Sequence, residues 1–293
     1  MNTKNIEEAL QRASFYFESA GLEDPRVEAE ILLSYLLDID RLQLFLKRGQ
    51  RLSSRQEYLF NELLSRRAAG EPTAYIIGRK EFYGYQFIVN KNVLIPRPET
   101  ELLIDRALPW LNKFKSEGTG KIKVMDLGTG SGVIAITIAL KVPGIKIDAV
   151  DVSEQALQTA KHNAALHQVE DRIKWHRGEY FEAFNKNTSP PLFNLIISNP
   201  PYLSKQDMDE LPPHILEHEP YEALYGGVDG IESYRQIFKD LNRYMGEPFL
   251  LLLEAGLEQK RMLELLCRKS GLFNSIAWHD DLAGHARVLE AEK

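Results

Sequence analysis

Residues 121–142 read "KIKVMDLGTGSGVIAITIALKV". In "KIKVMDLG", Ile122 and Val124 stand on alternate positions, which is the pattern of a strand. "GVIAITIALKV", from Gly132, is apolar almost throughout and has the length of a buried helix. Between them lie Gly128, Gly130 and Gly132, spaced two apart. Glycines there let the backbone turn tightly and let a ligand approach it closely. A strand, a glycine turn and a helix make the opening unit of an open α/β sheet.

Downstream the alternation continues. "IKIDAVDV" (145–152), "RIKWHRG" (172–178), "LFNLIIS" (192–198) and "PFLLLLEAG" (248–256) read as strands. "SEQALQTAKHNAAL" (153–166), "GIESYRQIFKDLNRYM" (230–245) and "EQKRMLELLCRK" (258–269) read as helices, and "FNSIAWHD" and "ARVLEAE" close the chain as strands. This order predicts a parallel sheet with helices on both faces. The polar stretch "NKNTSPP" (185–191) reads as a loop.

Upstream, residues 1–70 look helical. "NIEEALQRASFYF", "RVEAEILLSYLL" and "RQEYLFNELLSRRAA" carry apolar residues at three- and four-residue spacing, and Pro25 stands where the second helix would begin. "EFYGYQFIVN" (81–90) alternates about Gly84 and reads as a β-hairpin. "IPRPETE" (95–101) reads as a rigid linker opening a helix that Glu99 or Thr100 would cap. The expected organisation is a helical domain over 1–72, a hairpin and linker over 73–98, and an α/β domain over 99–293.

Composition narrows the class. The chain has 293 residues, 44% of them hydrophobic, a net charge of −6 and one cysteine, Cys267. No internal disulfide can form, no signal peptide is visible, and the longest apolar runs are far too short for a bilayer, so a reducing cytoplasm and no membrane are expected. Residues 1–70 carry 10 Lys/Arg against 11 Asp/Glu, which gives no electrostatic footprint for nucleic acid.

The glycine loop has three competing ligands. A P-loop would continue into Gly-Lys-Ser/Thr, and it does not. The dinucleotide fingerprint is G-x-G-x-x-G, whereas this is G-x-G-x-G. S-adenosylmethionine fits better because it carries no phosphate to neutralise. Asp126, at the end of the first strand, suits its cationic sulfonium and ammonium. Asp151, 19 residues beyond Gly132, can accept from both ribose hydroxyls.

A second signal is "NPPY" at 199–202, which ends the fourth strand of the α/β series on the same sheet edge. The Asn199 side-chain oxygen and the Pro200 carbonyl are two acceptors at fixed geometry, matching the two hydrogens of a planar –NH2 group. Tyr202 adds a flat face for stacking. Such a nitrogen is a poor nucleophile, so positioning and fixed dipoles would carry most of its reaction with a methyl group.

"NPPY" together with "DLGTGSG" resembles the class I S-adenosylmethionine-dependent methyltransferases that modify planar nitrogens. The closer resemblance is to the protein-(glutamine-N5) methyltransferases of class 1 peptide chain release factors. It runs through "IPRPETE", "EHEPYEALYGGVDGIESYR" (217–235), "LLLEAG" (251–256) and "DLAGHARV" (281–288). The family's usual carboxylate before the last block's arginine is Ala286 here, and its apolar residue after Glu254 is Ala255. The resemblance implies a Rossmann-like methyltransferase domain and, as substrate, the glutamine of a Gly-Gly-Gln tripeptide on a release factor. It implies that Gly128, Thr129, Gly130, Ser131 and Gly132 cradle the methionine part of the cofactor, that Asp151 holds the ribose, and that Tyr180 lies beside the adenine. It also implies that Asn199 and Pro200 hold the glutamine amide, with Pro201, Tyr202, Arg97 and Glu99 in the substrate site.

Other readings are weaker. "HILEH" (214–218) matches an inverted zinc-protease pattern, but Pro212, Pro213 and Pro220 leave little room for the helix such a site needs, so a loop and no metal are expected. An adenine-N6 or guanine-N2 methyltransferase would use the same Asn-Pro-Pro-Tyr logic but should bring a basic face. A non-catalytic cofactor-binding scaffold has no need of Asn199.

Overall fold

The computed structural model describes residues 4–116, 122–184 and 190–293. Most of the loop expected at 185–191 therefore lies outside the described residues. The chain forms two compact units, Met1–Gly78 with Pro213–His218, and Arg79–Pro212 with Glu219–Lys293.

In the first unit, α1 (Ile6–Ser19), α2 (Pro25–Leu37), α3 (Arg41–Leu46), α4 (Ser54–Ala68) and α5 (Thr73–Ile77) follow one another. Pro25 opens α2 as expected, because the first helical position needs no N–H. Two helices exceed the sequence expectation. α3 is only six residues, too short for periodicity to register, but a reciprocal Asp40–Gln43 capping box defines it. Similar boxes, Asn5–Glu8 and Ser53–Gln56, start α1 and α4. Ile6, Leu10, Phe17, Leu32, Leu33, Phe60 and Leu64 form the buried centre.

The second unit begins with the hairpin β1 (Arg79–Phe82) and β2 (Tyr85–Ile88). Tyr83 and Gly84 both adopt positive φ, the two-residue turn that matches strand twist. α6 (Glu101–Ser116), β3 (Lys123–Leu127), α7 (Val133–Lys141), β4 (Lys146–Asp151), α8 (Glu154–Leu166), β5 (Ile173–Arg177) and β6 (Phe193–Ser198) come next. α9 (Lys205–Glu210), α10 (Pro213–His218), α11 (Glu232–Asp240), β7 (Met245–Glu254), α12 (Lys260–Ser270), β8 (Ser275–Asp280) and β9 (Ala286–Glu292) complete the chain.

Seven strands form one sheet in the order β5-β4-β3-β6-β7-β9-β8. The first five are parallel, and β9 is antiparallel to both β7 and β8. The all-parallel expectation is thus corrected at one edge. β8 and β9 are joined by a few residues, and so short a link cannot reverse the chain into a parallel neighbour. Helices cover both faces, so the strands are apolar on both sides. Val124, Leu195 and Ile197 face the core that holds Leu103, Ile104 and Ile138, while Met125, Leu127 and Ile196 face that of Tyr234, Ile237 and Leu263. Cys267 is buried in the second core.

The "HILEH" expectation is corrected as well. The segment is helical as α10, and Pro213 begins it at the position where proline is tolerated. It groups with the first unit.

Candidate active site

A cavity of about 880 Å3 lies within the second unit, over the carboxyl ends of β3, β4 and β6. Gly128, Thr129, Gly130, Ser131, Asp151, Tyr180, Arg97, Asn199 and Pro201 all line it, so most of the expected site converges there. Asp126, Gly132, Pro200, Tyr202 and Glu99 do not line it.

The glycine loop is built by its neighbours. Gly128 N and Thr129 N both donate to the Val150 carbonyl at 2.9 Å, which pins the loop to the end of β4. Gly128, Gly130 and Gly132 have φ of 71°, 55° and 83°, values that other residues adopt only with strain. A Cβ on Gly130 would meet nothing within 4 Å, so the open space above it is available to a ligand. A Cβ on Gly132 would come within 2.9 Å of Ile136 Cδ1 and 3.1 Å of Ala160 Cβ. That glycine serves the packing of α7 and α8.

Asp151 Oδ2 accepts from Gly130 N at 2.8 Å and Oδ1 from Ser153 N at 2.9 Å. Each carboxylate oxygen keeps a lone pair for a further donor. Burial raises its pKa, against the opposing pull of these two N–H groups.

Asp126 departs from the sequence expectation. It is fully buried beneath the loop. Its Oδ2 accepts from Thr129 Oγ1 at 2.6 Å and from Ala135 N, in the first turn of α7, at 3.2 Å. Strand alternation sets it opposite Met125 and Leu127, towards that helix end. Oδ1 has no hydrogen-bond partner among the described residues, and burial pushes the carboxyl up to about 7.

β6 lies beside β3, and Ser198 Oγ donates to the Leu127 carbonyl at 2.6 Å, tying the two strand ends together. Asn199 Nδ2 then donates to Thr100 Oγ1 at 3.0 Å. Among the described residues no donor reaches Asn199 Oδ1 or the Pro200 carbonyl. Tyr202 packs beside Gly256, where an added Cβ would come within 3.0 Å of its ring. Gln259 Nε2 donates to the Tyr202 carbonyl at 2.7 Å and to the Gly230 carbonyl at 3.0 Å. Gln259 Oε1 accepts from Gly256 N at 2.9 Å and from the Tyr234 hydroxyl at 3.3 Å. One saturated amide therefore fixes the far side of the NPPY segment.

The 95–101 segment forms the near wall. Arg97 reaches Glu219 Oε1 at 2.6 Å, and Ile95 N donates to Glu219 Oε2 at 3.3 Å. Glu99 is exposed, and Thr100 caps no helix but receives the Asn199 amide. Thr100 reads from the sequence only as a helix cap, and Glu219 and the neighbouring rings of Tyr221 and Tyr225, with centroids 5.2 Å apart, do not stand out there. Their signal was present in "IPRPETE" and "EHEPYEAL", but nothing local said which letters face inward.

An S-adenosylmethionine molecule matches this chemistry. The backbone cradle is open above Gly130, Asp151 keeps acceptor capacity for ribose hydroxyls, Tyr180 lines the same wall, and the loop supplies no phosphate-binding lysine. A mixed seven-stranded sheet carrying that cradle is what a class I S-adenosylmethionine-dependent methyltransferase presents, and the protein is of that class.

Comparison with known proteins narrows it further. Residues 8–78 match the family described as PrmC N-terminal domain, and residues 106–220 match the methyltransferase small domain. The release factor glutamine methyltransferase of Rhodopirellula baltica is 34% identical over 97% of this chain and 95% of its own. That of Bacillus subtilis is 35% identical over 98% of this chain and 97% of its own. The bifunctional methyltransferase of Rickettsia felis is 34% identical, but the chain spans only 57% of its length. Among solved structures, the catalytic domain of hMettl16 in complex with a MAT2A 3'UTR hairpin aligns with a TM-score of 0.53 at 16% identity, covering 78% of this chain and 81% of that one, a likeness of fold. The chain belongs to the release factor glutamine methyltransferase family. The cofactor of that fold and family is S-adenosylmethionine.

Proposed function

We propose that the chain methylates the side-chain amide nitrogen of the glutamine in the Gly-Gly-Gln motif of class 1 peptide chain release factors, in the cytoplasm. The observation that carries this reading is the Asn199 amide, whose nitrogen is engaged by Thr100 and whose Oδ1 is left without a donor at the cavity wall. Such an oxygen, with the Pro200 carbonyl as second acceptor, suits a substrate –NH2 group.

S-adenosylmethionine supplies an electrophilic methyl group on a sulfonium sulfur. Gly128, Thr129, Gly130 and Ser131 would shape its methionine end, with Gly132 seating the loop against α7 and α8 and Asp126 bracing it from below. Asp151 would hold the ribose and Tyr180 would flank the adenine. Asn199 and Pro200 would hold both amide hydrogens, turning the nitrogen lone pair towards the methyl group. This costs the amide part of its conjugation, so rigid acceptors aimed at the nitrogen do most of the work. Pro201, Tyr202, Arg97 and Glu99 would bound the glutamine and its flanking glycines. The first unit, near neutral in charge and with Phe15, Leu42, Phe45 and Tyr58 exposed, would recognise the protein partner.

The test is labelled S-adenosylmethionine with purified release factor, total RNA and total DNA in parallel, followed by peptide mapping. Label confined to the Gly-Gly-Gln glutamine is the expected result. Label in nucleic acid instead would replace this reading with a base amino-methyltransferase.

A further inference from the structure

The Thr100 hydroxyl is ambivalent, because it can accept from the Asn199 nitrogen or donate to the Asn199 oxygen. The first arrangement leaves Oδ1 for the substrate, and the second turns the amide around and presents a donor where the substrate also has donors. Something must decide between them. Thr100 is 3% exposed, so water does not decide it.

The neighbour on its other side is Glu254, 1% exposed, at the last position of β7. The Thr100 and Tyr202 hydroxyls are polar neighbours of its carboxyl, and its Oε2 has no hydrogen-bond partner among the described residues. An ionised carboxylate only accepts. Beside Thr100 it favours the hydroxyl proton turned towards the carboxylate, which leaves Thr100 Oγ1 to accept from Asn199 Nδ2, the geometry observed at 3.0 Å. A protonated Glu254 removes this constraint.

We infer that Glu254 is a positioning residue which, through Thr100, orients the Asn199 amide so that Oδ1 faces the substrate nitrogen. The inference rests on the proposed role of Asn199. The groups facing Glu254 come from four other elements: Thr100 and Glu99 of the short helix at 98–100, Tyr202 after β6, Tyr234 of α11 and Arg287 of β9. Burial pushes Glu254 up to about 7, and Glu99 adds to this, while Thr100, Arg287 and Tyr202 oppose it. The relay is therefore set above neutrality and released below it.

Two readouts test this. In single-turnover methylation of release factor at saturating cofactor, the wild-type rate should rise with pH through an ionisation near the Glu254 value. Glu254→Gln should flatten that profile. Thr100→Val should lower kcat by roughly tenfold or more with KM and cofactor affinity little changed, and Thr100→Ser should recover most of the loss. Independently of any substrate, the side-chain amide resonances of Asn199 in the cofactor-bound protein should titrate over the same range in the wild type and not in Glu254→Gln. A wild-type pH profile in Glu254→Gln, a wild-type rate in Thr100→Val, or Asn199 resonances indifferent to both pH and Glu254→Gln each overturn the relay. Titrating resonances in a protein that methylates no release factor would keep the relay and sink the substrate reading instead.

Discussion

Gly130 N donates to Asp151 Oδ2 at 2.8 Å, so the glycine loop and the acid that ends the next strand are one unit. Replacing the acid would remove the proposed ribose contact and loosen the cradle together. Two charge-assisted hydrogen bonds are worth roughly 1.5–3 kcal/mol each before any compensation. Asp151→Ala should therefore weaken S-adenosylmethionine binding by about one to several orders of magnitude in calorimetry. Unchanged affinity in a folded variant would remove Asp151 from the cofactor site.

Asn199→Ala should act on the chemical step and leave cofactor affinity near wild type. Loss of one fixed polar contact at an active site typically costs about 10²–10³ in turnover. Asn199→Asp keeps an acceptor in place and should retain more activity than alanine in single-turnover assays. Wild-type rates in Asn199→Ala would reduce the NPPY segment to a corner in the chain.

Two neighbouring glycines should fail differently. At Gly132 a methyl group meets Ile136 and Ala160 at positive φ, so Gly132→Ala should lower stability, by about 1–3 kcal/mol in denaturant unfolding. Gly130→Ala meets no protein atom but fills the space above the loop. It should cost cofactor affinity out of proportion to its effect on stability. Equal profiles for the two variants would contradict the division of labour.

Asp126 offers a test by pH. Its folded pKa is raised to about 7 from 3.8, so below neutrality the folded chain binds a proton that the unfolded chain does not. This group thus adds stability as pH falls through about 7 and on towards 3.8, where the gain is complete, and that stability is lost as pH rises through about 7. Asp126→Asn should lose that dependence, and the difference between the two unfolding curves over this window isolates it from every other carboxylate.

Much of the fold was legible because the α/β alternation depends on local periodicity and on glycine. Val124, Leu195 and Ile197 announce buried strands wherever the chain takes them. The antiparallel edge was not legible, since "FNSIAWHD" and "ARVLEAE" read alike in either direction and only the short link between them decides. For the site, Gly128–Ser131, Asp151 and Asn199 stood out because each has a chemical reason to sit at a strand end. Asp126 stood out for the same reason and faces elsewhere, because the side of a strand on which a helix begins is a tertiary fact. Thr100, which reads only as a helix cap, and Glu254, which reads only as part of a family block, gain no site role from the sequence for a related cause. A hydroxyl and a carboxylate far apart in sequence acquire meaning only when the short helix at 98–100 and the end of β7 bring them side by side.

The position of β6 also bears on how the chain is made. Leu195 pairs with Val124 on one side and with Leu250 on the other. A nascent chain that has emerged only as far as the NPPY segment can supply β3 but not β7. Its apolar strand then stands as a bare edge, open to pairing with another polypeptide. The strand that delivers Asn199 is thus the one most in need of shielding until β7 follows it, and truncations upstream of β7 should be recovered as aggregates.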